Sequence, residues 1–264
     1  MTPLVQAAVA GLAVTALLAV LTWVASLLRH DVSLVDRMWP VFIAAAGGAY
    51  AWTLHADSVR AAWMLALVAL WAVRLSAYIT HRNWGHGEDR RYRAIRARNE
   101  PGFALKSLVL VFALQAVLAS VVALPLLLGL AAPSAIGWID IVGVGVAAFG
   151  IVYEAVADAQ MARFKADPAN AGRVMDRGLW RHSRHPNYFG EFCTWWGLWL
   201  VCIGGAGPAG AWTVISPLLM SVLLLKVSGV SLLEKDIADR RPAYRDYIAR
   251  TPAFFPWWLR NPRT

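Results

Sequence analysis

Residues Pro3–Leu28 read PLVQAAVAGLAVTALLAVLTWVASLL, a run without a single charged side chain. An α-helix rises about 1.5 Å per residue, so roughly 20 apolar residues cross the ~30 Å hydrocarbon core of a bilayer. No basic segment precedes this run, and it is longer than the roughly 7 to 15 apolar residues of a signal peptide. The stretch therefore predicts a retained membrane-spanning helix.

The rest of the chain repeats this pattern. Its 264 residues are 59% hydrophobic and only 16% charged, a composition that excludes an ordinary soluble domain. We predict an all-α integral membrane protein with seven transmembrane helices. The predicted spans are Pro3–Leu28, Met38–Leu54, Val59–Thr80, Leu105–Leu130, Ile136–Ala157, Tyr188–Gly204 and Ala209–Ser231.

Lysine and arginine are distributed unequally along the chain. Of the 25 basic residues, all but Arg60 and Arg74 cluster at alternate connections between spans, whereas residues 131–135 and 205–208 carry no charge. By the positive-inside rule, this pattern predicts an N-terminus outside and a C-terminus in the cytoplasm. The net charge of +9 then reflects topology, and we expect no nucleic-acid partner.

Cys193 and Cys202 lie nine residues apart in one apolar run, on opposite faces of the predicted helix. Neither a disulfide nor a zinc site is expected from them. The chain also lacks an internal repeat or a linker, so we predict a single helical membrane domain over residues 1–264.

Acidic residues inside the apolar runs are candidates for a functional site. An ionisable group in hydrocarbon costs at least about 2.5 kcal/mol and must face a partner or a wet cavity. Glu154 and Asp158 are four residues apart and share a helix face, which Lys165 continues. A ligand could bind there, but pairing with the arginine-rich loops explains the two acids equally well.

A second polar group opens the sixth predicted span. Asn187 and Glu191 are four residues apart and directly follow His185 and Pro186. Proline suits the first turn of a helix, and the free N–H groups of a helix start favour an anion. A capped, positively anchored transmembrane helix is the alternative explanation.

Asp36 stands at the start of the second span, three residues after Ser33. It is either a helix-start residue or a group that donates a proton or polarises a carbonyl. Motifs for a dinucleotide-binding fold, a phosphate-binding loop or a zinc protease do not occur. Side chains and loops would therefore have to hold any nucleotide.

The sequence GLWRHSRHPNYFGE at Gly178–Glu191, followed by Trp195–Gly197, is similar to the C-terminal domain of the steroid 5-alpha-reductase family. The resemblance is closest to that family's bacterial membrane branch, and Thr251–Pro256 extends it. It implies an enzyme of the bacterial inner (cytoplasmic) membrane. Such an enzyme uses NADPH to reduce a carbon–carbon double bond conjugated to a ketone, as in a 3-oxo-4-ene steroid.

The resemblance also implies roles for parts of the chain. Residues 1–130 would form the substrate cavity and residues 131–264 would bind the cofactor. Relatives polarise the ketone with an acid–tyrosine pair, for which Asp36 is the candidate acid and Tyr78 or Tyr92 the candidate partner. Lys165 and Arg173 match phosphate contacts, and Asp158, Asn187 and Glu191 match contacts to ribose and nicotinamide. The full set of implied NADPH-binding residues is Glu154, Asp158, Lys165, Arg173, His185, Asn187, Tyr188, Glu191, Glu234, Arg241 and Tyr244.

Two other functions stay open. The pattern Arg-His-Pro-x-Tyr-x-Gly also marks S-adenosylmethionine-dependent isoprenylcysteine carboxyl and phospholipid methyltransferases. Those enzymes usually carry two adjacent glutamates near the last helix, whereas Glu234 is followed here by Lys235. A transporter or lipid-binding protein is disfavoured by the absence of a two-fold repeat. The expected partners are a lipid-soluble, steroid-like enone and membrane lipid, with no obligate protein partner.

Overall fold

The structure is a computed structural model that describes residues 1–227, 229–230, 234 and 242–257. Helices joined by turns account for these residues, and no strand occurs among them. The chain forms two compact units. Unit 1 comprises Met1–Val144 with Leu198–Ser216, and unit 2 comprises Gly145–Gly197 with Pro217–Thr264.

The helices follow the predicted apolar runs with small shifts at their ends. A π-helical turn at Leu108–Ala113 lies inside the helix Phe103–Ala131, and a 3₁₀ segment at Gly207–Val214 joins the helix Pro186–Ala206 to the helix Ile215–Val222. The elements are α1 Pro3–Arg29, α2 Leu34–Leu54, α3 Val59–Asn83, α4 Arg90–Asn99, α5 Phe103–Ala131, α6 Trp138–Ala166, α7 Pro186–Ala206, α8 Ile215–Val222 and α9 Tyr244–Arg250.

Helix α1 buries its small residues and exposes its large ones. At Gly11 an added Cβ would lie 2.1 Å from Cε1 of Tyr50, so only glycine allows this contact with α2. Small residues let two helices approach closely in lipid, where large apolar side chains face the acyl chains. The buried positions are Ala7, Gly11, Thr15, Ala19, Thr22 and Ser26, and the exposed ones include Val5, Val9, Leu12, Leu17 and Leu21.

Five helical runs in the described part of the chain are long and apolar enough to cross a membrane. This architecture supports a multi-pass integral membrane protein. Helix α2 is not among the five, because Asp36 and Arg37 in its first turn make it more polar. The predicted count of seven spans and the predicted orientation of the termini stay predictions. The five runs are Pro3–Arg29, Val59–Asn83, Phe103–Ala131, Trp138–Ala166 and Pro186–Val227.

The last of these runs folds back on itself. The hydroxyl of Thr213 lies 3.7 Å from the sulfur of Cys202, and Trp196 Nε1 donates to Ser221 Oγ at 3.3 Å. Eleven residues of straight helix would separate Cys202 from Thr213 by about 16 Å. The segment around Gly207, which has a φ of +57°, therefore reverses the chain into a helical hairpin.

Arg60 is fully buried in the first turn of α3. Its Nε donates to Asp140 Oδ1 at 2.6 Å and its Nη2 to Asp140 Oδ2 at 3.1 Å. Both side chains have no exposed surface. The guanidinium also donates to the carbonyls of Ser134 and Ala135 at 2.8 and 2.9 Å, so it ties the connection before α6 to α3.

Candidate functional site

Asp36 and Tyr92 form an acid–tyrosine pair in unit 1, in which the tyrosine is buried and the acid is partly exposed. The Tyr92 hydroxyl, on α4, donates to Asp36 Oδ1 at 2.6 Å, and Arg91 Nη2 donates to Asp36 Oδ2 at 2.7 Å. Tyr92 is 6% exposed, and the Asp36 side chain is 21% exposed. The structure thus joins the candidate acid to one of its two candidate tyrosines.

Helix α4 is held in place by two carboxylates in the connection before it. Asp89 caps its start by accepting the backbone N–H of Arg91 at 2.8 Å. Glu88 accepts from the backbone N–H of Val32 at 2.9 Å and from Arg96 at 2.8 and 3.0 Å. These contacts fix α4 to the turn between α1 and α2, just before the helical turn that carries Asp36.

The electrostatic surroundings of this pair oppose ionisation of Tyr92. Burial, reinforced by the neighbouring Asp36, raises the pKa of Tyr92 well above its ordinary value. Asp36 lies just before the predicted span Met38–Leu54, and burial raises the pKa of its carboxyl. This effect outweighs the opposite effects of Arg91 and the Tyr92 hydroxyl. Tyr92 therefore stays a proton donor at neutral pH, and the protonated form of Asp36 is favoured more than in an ordinary carboxyl.

Tyr78 lies on α3, where the guanidinium of Arg82 stands 5.6 Å from the centre of its ring. The sequence offered Tyr78 and Tyr92 as equal candidates for the partner of Asp36. The hydrogen bond from Tyr92 favours the second of them.

In unit 2, α6 and α7 touch through two glycines. An added Cβ at Gly150 would lie 2.5 Å from the carbonyl oxygen of Gly190, and one at Gly190 would lie 2.6 Å from the nitrogen of Glu154. This approach sets Glu154 beside the turn of α7 that contains Asn187 and Glu191. Glu154 thus lies against Gly190, the residue next to Glu191 in the sequence.

The loop before α7 packs on the same part of α6. Trp180 Nε1 donates to the carbonyl of Ala157 at 3.0 Å, and the backbone N–H of Leu179 donates to Gln160 Oε1 at 2.9 Å. Asp158, between these two contacts, is buried. Lys165 and Arg173 are exposed, as phosphate contacts would require.

Glu234 is held by the two basic residues that precede α7. It accepts two hydrogen bonds from Arg184, at 2.7 and 2.8 Å, and lies 2.9 Å from His185 Nε2. Arg184 also donates to the carbonyls of Ile248 and Thr251 at 3.1 and 2.6 Å. Arg184 is therefore committed to holding the C-terminal segment.

The backbone of the same motif binds the C-terminal segment directly. Ser183 Oγ donates to the carbonyl of Phe254 at 2.7 Å, and the N–H of Arg184 donates to the carbonyl of Pro252 at 2.9 Å. The Tyr247 hydroxyl donates to the carbonyl of Trp180. We call these contacts, with the Arg184–His185–Glu234 cluster, the tail clamp.

The sequence missed this role of the Arg-His-Pro motif, which it interpreted as a basic, anion-friendly site. The available signal was that Thr251–Pro256 accompanies the motif in the same resemblance.

Tyr188, a predicted cofactor residue, stacks on His185 with ring centres 5.5 Å apart. Tyr244 lies 5.2 Å from Tyr247, ring centre to ring centre, and Arg241 lies outside the described residues.

The tail clamp should weaken in acid. Burial alone would raise the pKa of Glu234, but hydrogen bonds from His185 and Arg184 lower it from 4.5 to about 2. A carboxyl with a lowered folded-state pKa stabilises the fold above its unfolded-state pKa and loses that effect as pH falls through the folded value. Thermal stability of the detergent-solubilised protein should therefore fall between pH 4.5 and about 2. Glu234→Gln should flatten this slope, and an unchanged slope in that variant would contradict the assignment.

A cavity of about 650 Å³ in unit 1 lies at the far end of α2 from Asp36. Its lining includes Thr2, Leu54, His55 and Asp57. The 18 helical residues from Asp36 to Leu54 span about 27 Å, so this cavity is not the place where the acid–tyrosine pair acts.

Comparison with known proteins places the chain in a family. Residues 22–251 match the family DUF1295, described as a protein of unknown function. An uncharacterised protein of Schizosaccharomyces pombe is 27% identical over 277 aligned residues, covering 94% of this chain and 79% of the yeast protein. No solved structure matches the chain. The chain thus belongs to the DUF1295 family, which is steroid 5-alpha-reductase-like.

Proposed function

We propose that this protein is an NADPH-dependent reductase of the double bond conjugated to a ketone in a lipid-soluble, steroid-like molecule. The observation that carries the proposal is the 2.6 Å hydrogen bond between the Tyr92 hydroxyl and Asp36. The resemblance implies an acid–tyrosine pair in this half of the chain, and the two residues are 56 positions apart in sequence.

The chemistry of the pair suits this reaction. Hydride addition to the β carbon of an enone leaves negative charge on the ketone oxygen, and a fixed O–H donor stabilises that charge. Tyr92 has such a hydroxyl, and its raised pKa keeps the proton on it. One hydride and one proton are added to each substrate, so a saturated ketone and the oxidised nicotinamide cofactor result.

The acids of unit 2 fit the sugar and amide part of a nicotinamide cofactor. Buried carboxylates accept hydrogen bonds from hydroxyl and amide N–H groups, and Glu154, Asp158 and Glu191 are all buried. Phosphates need cations, which Lys165 and Arg173 supply at exposed positions. Eleven residues of α6 separate Glu154 from Lys165, or about 16 Å, which suits an elongated dinucleotide. When bound there, NADPH would supply the hydride.

The direct test is NADPH consumption by the purified protein with a 3-oxo-4-ene steroid. We expect loss of NADPH absorbance and a product heavier by two hydrogens, and no reaction with the corresponding saturated ketone. Asn187→Ala should weaken NADPH binding, because Asn187 lies about one helical turn before Gly190, the residue of α7 that approaches Glu154. If no enone is reduced and Asn187→Ala binds NADPH normally, the proposal is wrong.

The methyltransferase alternative gives a different result in a simpler measurement. A ligand that binds only the folded state raises the melting temperature. We expect NADPH, and not S-adenosylmethionine, to do so. A shift with S-adenosylmethionine alone would favour methyl transfer, whereas no shift with either, together with solute flux in vesicles, would favour transport.

A further inference from the structure

Arg91 contacts both members of the acid–tyrosine pair. Its Nη2 lies 2.7 Å from Asp36 Oδ2, and its guanidinium stands 5.7 Å from the centre of the Tyr92 ring. Its Nε donates to Asp89 Oδ1 at 3.1 Å, and Asp89 in turn accepts the N–H that caps α4. Arg91 is thus fixed by the helix start and directed at Asp36.

The hydrogen bonds of Asp36 decide where the Tyr92 proton can go. When Asp36 is ionised, one carboxylate oxygen accepts from Tyr92 and the other from Arg91. The Tyr92 proton is then committed to Asp36. When Asp36 is protonated, its own O–H can donate to the Tyr92 oxygen, which leaves the Tyr92 O–H free to donate to a ketone.

We propose that Arg91 is a positioning residue that sets the protonation state of Asp36 and thereby controls whether Tyr92 donates to the substrate carbonyl. This inference rests on the proposed reductase function. The proton count agrees with it: Tyr92 gives its proton to the enolate oxygen, the Asp36 proton passes to Tyr92, and solvent restores the proton on Asp36. The resulting enol becomes the saturated ketone by taking up a proton at the α carbon as it releases the one on oxygen. One proton is consumed for each hydride.

Other charged groups surround Asp36, but Arg91 is the cation that donates a hydrogen bond to its carboxylate. Asp89 and burial favour the protonated form of Asp36, whereas Arg91, Tyr92 and the more distant Arg82 favour the ionised form. The remaining nearby arginines have acids of their own. Arg37 lies 3.5 Å from Asp31, and Arg96 forms a two-bond ion pair with Glu88.

The first test is the pH dependence of enone reduction in Arg91→Met and Arg91→Lys. Removing an opposite charge at this distance should raise the pKa of the acid by about one unit or more. The alkaline limb of the kcat profile should therefore move to higher pH by that amount in Arg91→Met and stay near the wild-type position in Arg91→Lys. Arg93→Met is the matched control, because Arg93 is an exposed arginine of the same helix. It should leave the limb in place.

An infrared titration keeps this inference separate from the proposed function. The carbonyl stretch of protonated Asp36, assigned by its loss in Asp36→Asn, can be followed with pH without any substrate. A higher titration midpoint in Arg91→Met supports the control by Arg91 even if the wild-type protein reduces no enone, in which case the reductase proposal fails alone. An unchanged infrared midpoint, or lower activity at every pH with an unmoved limb, overturns the role of Arg91.

Discussion

Tyr92→Phe is expected to lower kcat for enone reduction by about 10²- to 10³-fold, the usual effect of removing one donor to a developing oxyanion. The substitution keeps the ring, which is buried, and removes only the hydroxyl that donates to Asp36. NADPH affinity should be unchanged, because the predicted cofactor contacts all lie between Glu154 and Tyr244, outside the helix that carries Tyr92. Single-turnover rates at saturating NADPH measure the effect.

Tyr78→Phe is the matched comparison, since the sequence proposed both tyrosines. We expect it to retain most of the activity, because the hydrogen bond to Asp36 comes from Tyr92. Equal melting temperatures for the two variants would exclude a folding defect as the cause. If Tyr78→Phe abolished reduction while Tyr92→Phe stayed active, the donor would be assigned to Tyr78.

This pair shows how far the sequence could predict the site. From its place before an apolar run, Asp36 could equally be a helix-start residue, and it became the candidate acid only through the family resemblance. Its partner was not decidable, because Tyr92 lies in an arginine-rich segment without apolar periodicity. Only the folding of α4 against the turn before α2, through Glu88 and Asp89, selects Tyr92.

The helices were largely predictable for the same physical reason. Charged residues border most apolar runs, so the run Pro3–Leu28 was observed as the helix Pro3–Arg29. A helix start that itself contains charges was harder to place. The second span was predicted from Met38, because Asp36 and Arg37 precede it, whereas α2 begins four residues earlier, at Leu34.

Contacts between distant segments account for what the sequence could not predict. The basic residues Arg184 and His185 suggested an anion site because they directly precede a helix start, whose free N–H groups favour an anion. In the structure they bind Glu234, 50 and 49 residues away, and the backbone around them binds residues 247–254. Spacing within one motif carries no information on such a partner.

Arg60 is the clearest case of this kind, and it leads to the second large prediction. Arg60→Ala should lower the free energy of unfolding by about 3–5 kcal/mol, because it leaves the buried carboxylate of Asp140 without its cation. The packing leaves no room to adjust: an added Cβ at Gly204 would lie 2.7 Å from Asp140 Cγ, and one at Gly205 would lie 2.7 Å from Arg60 Nε. Denaturation by SDS or heat in detergent measures the loss.

Two variants make this prediction specific. Removing both charges in Arg60→Met with Asp140→Leu should cost less than Arg60→Ala alone, since no isolated charge then stays buried. Asp57→Ala removes an exposed charge from the connection just before α3 and should change stability by less than about 0.5 kcal/mol. Equal losses in Arg60→Ala and Asp57→Ala would show that the buried pair does not hold this end of unit 1 together. If instead the double variant recovers stability, the cost of Arg60→Ala lies in the orphaned Asp140, and the ion pair acts by mutual neutralisation of two buried charges.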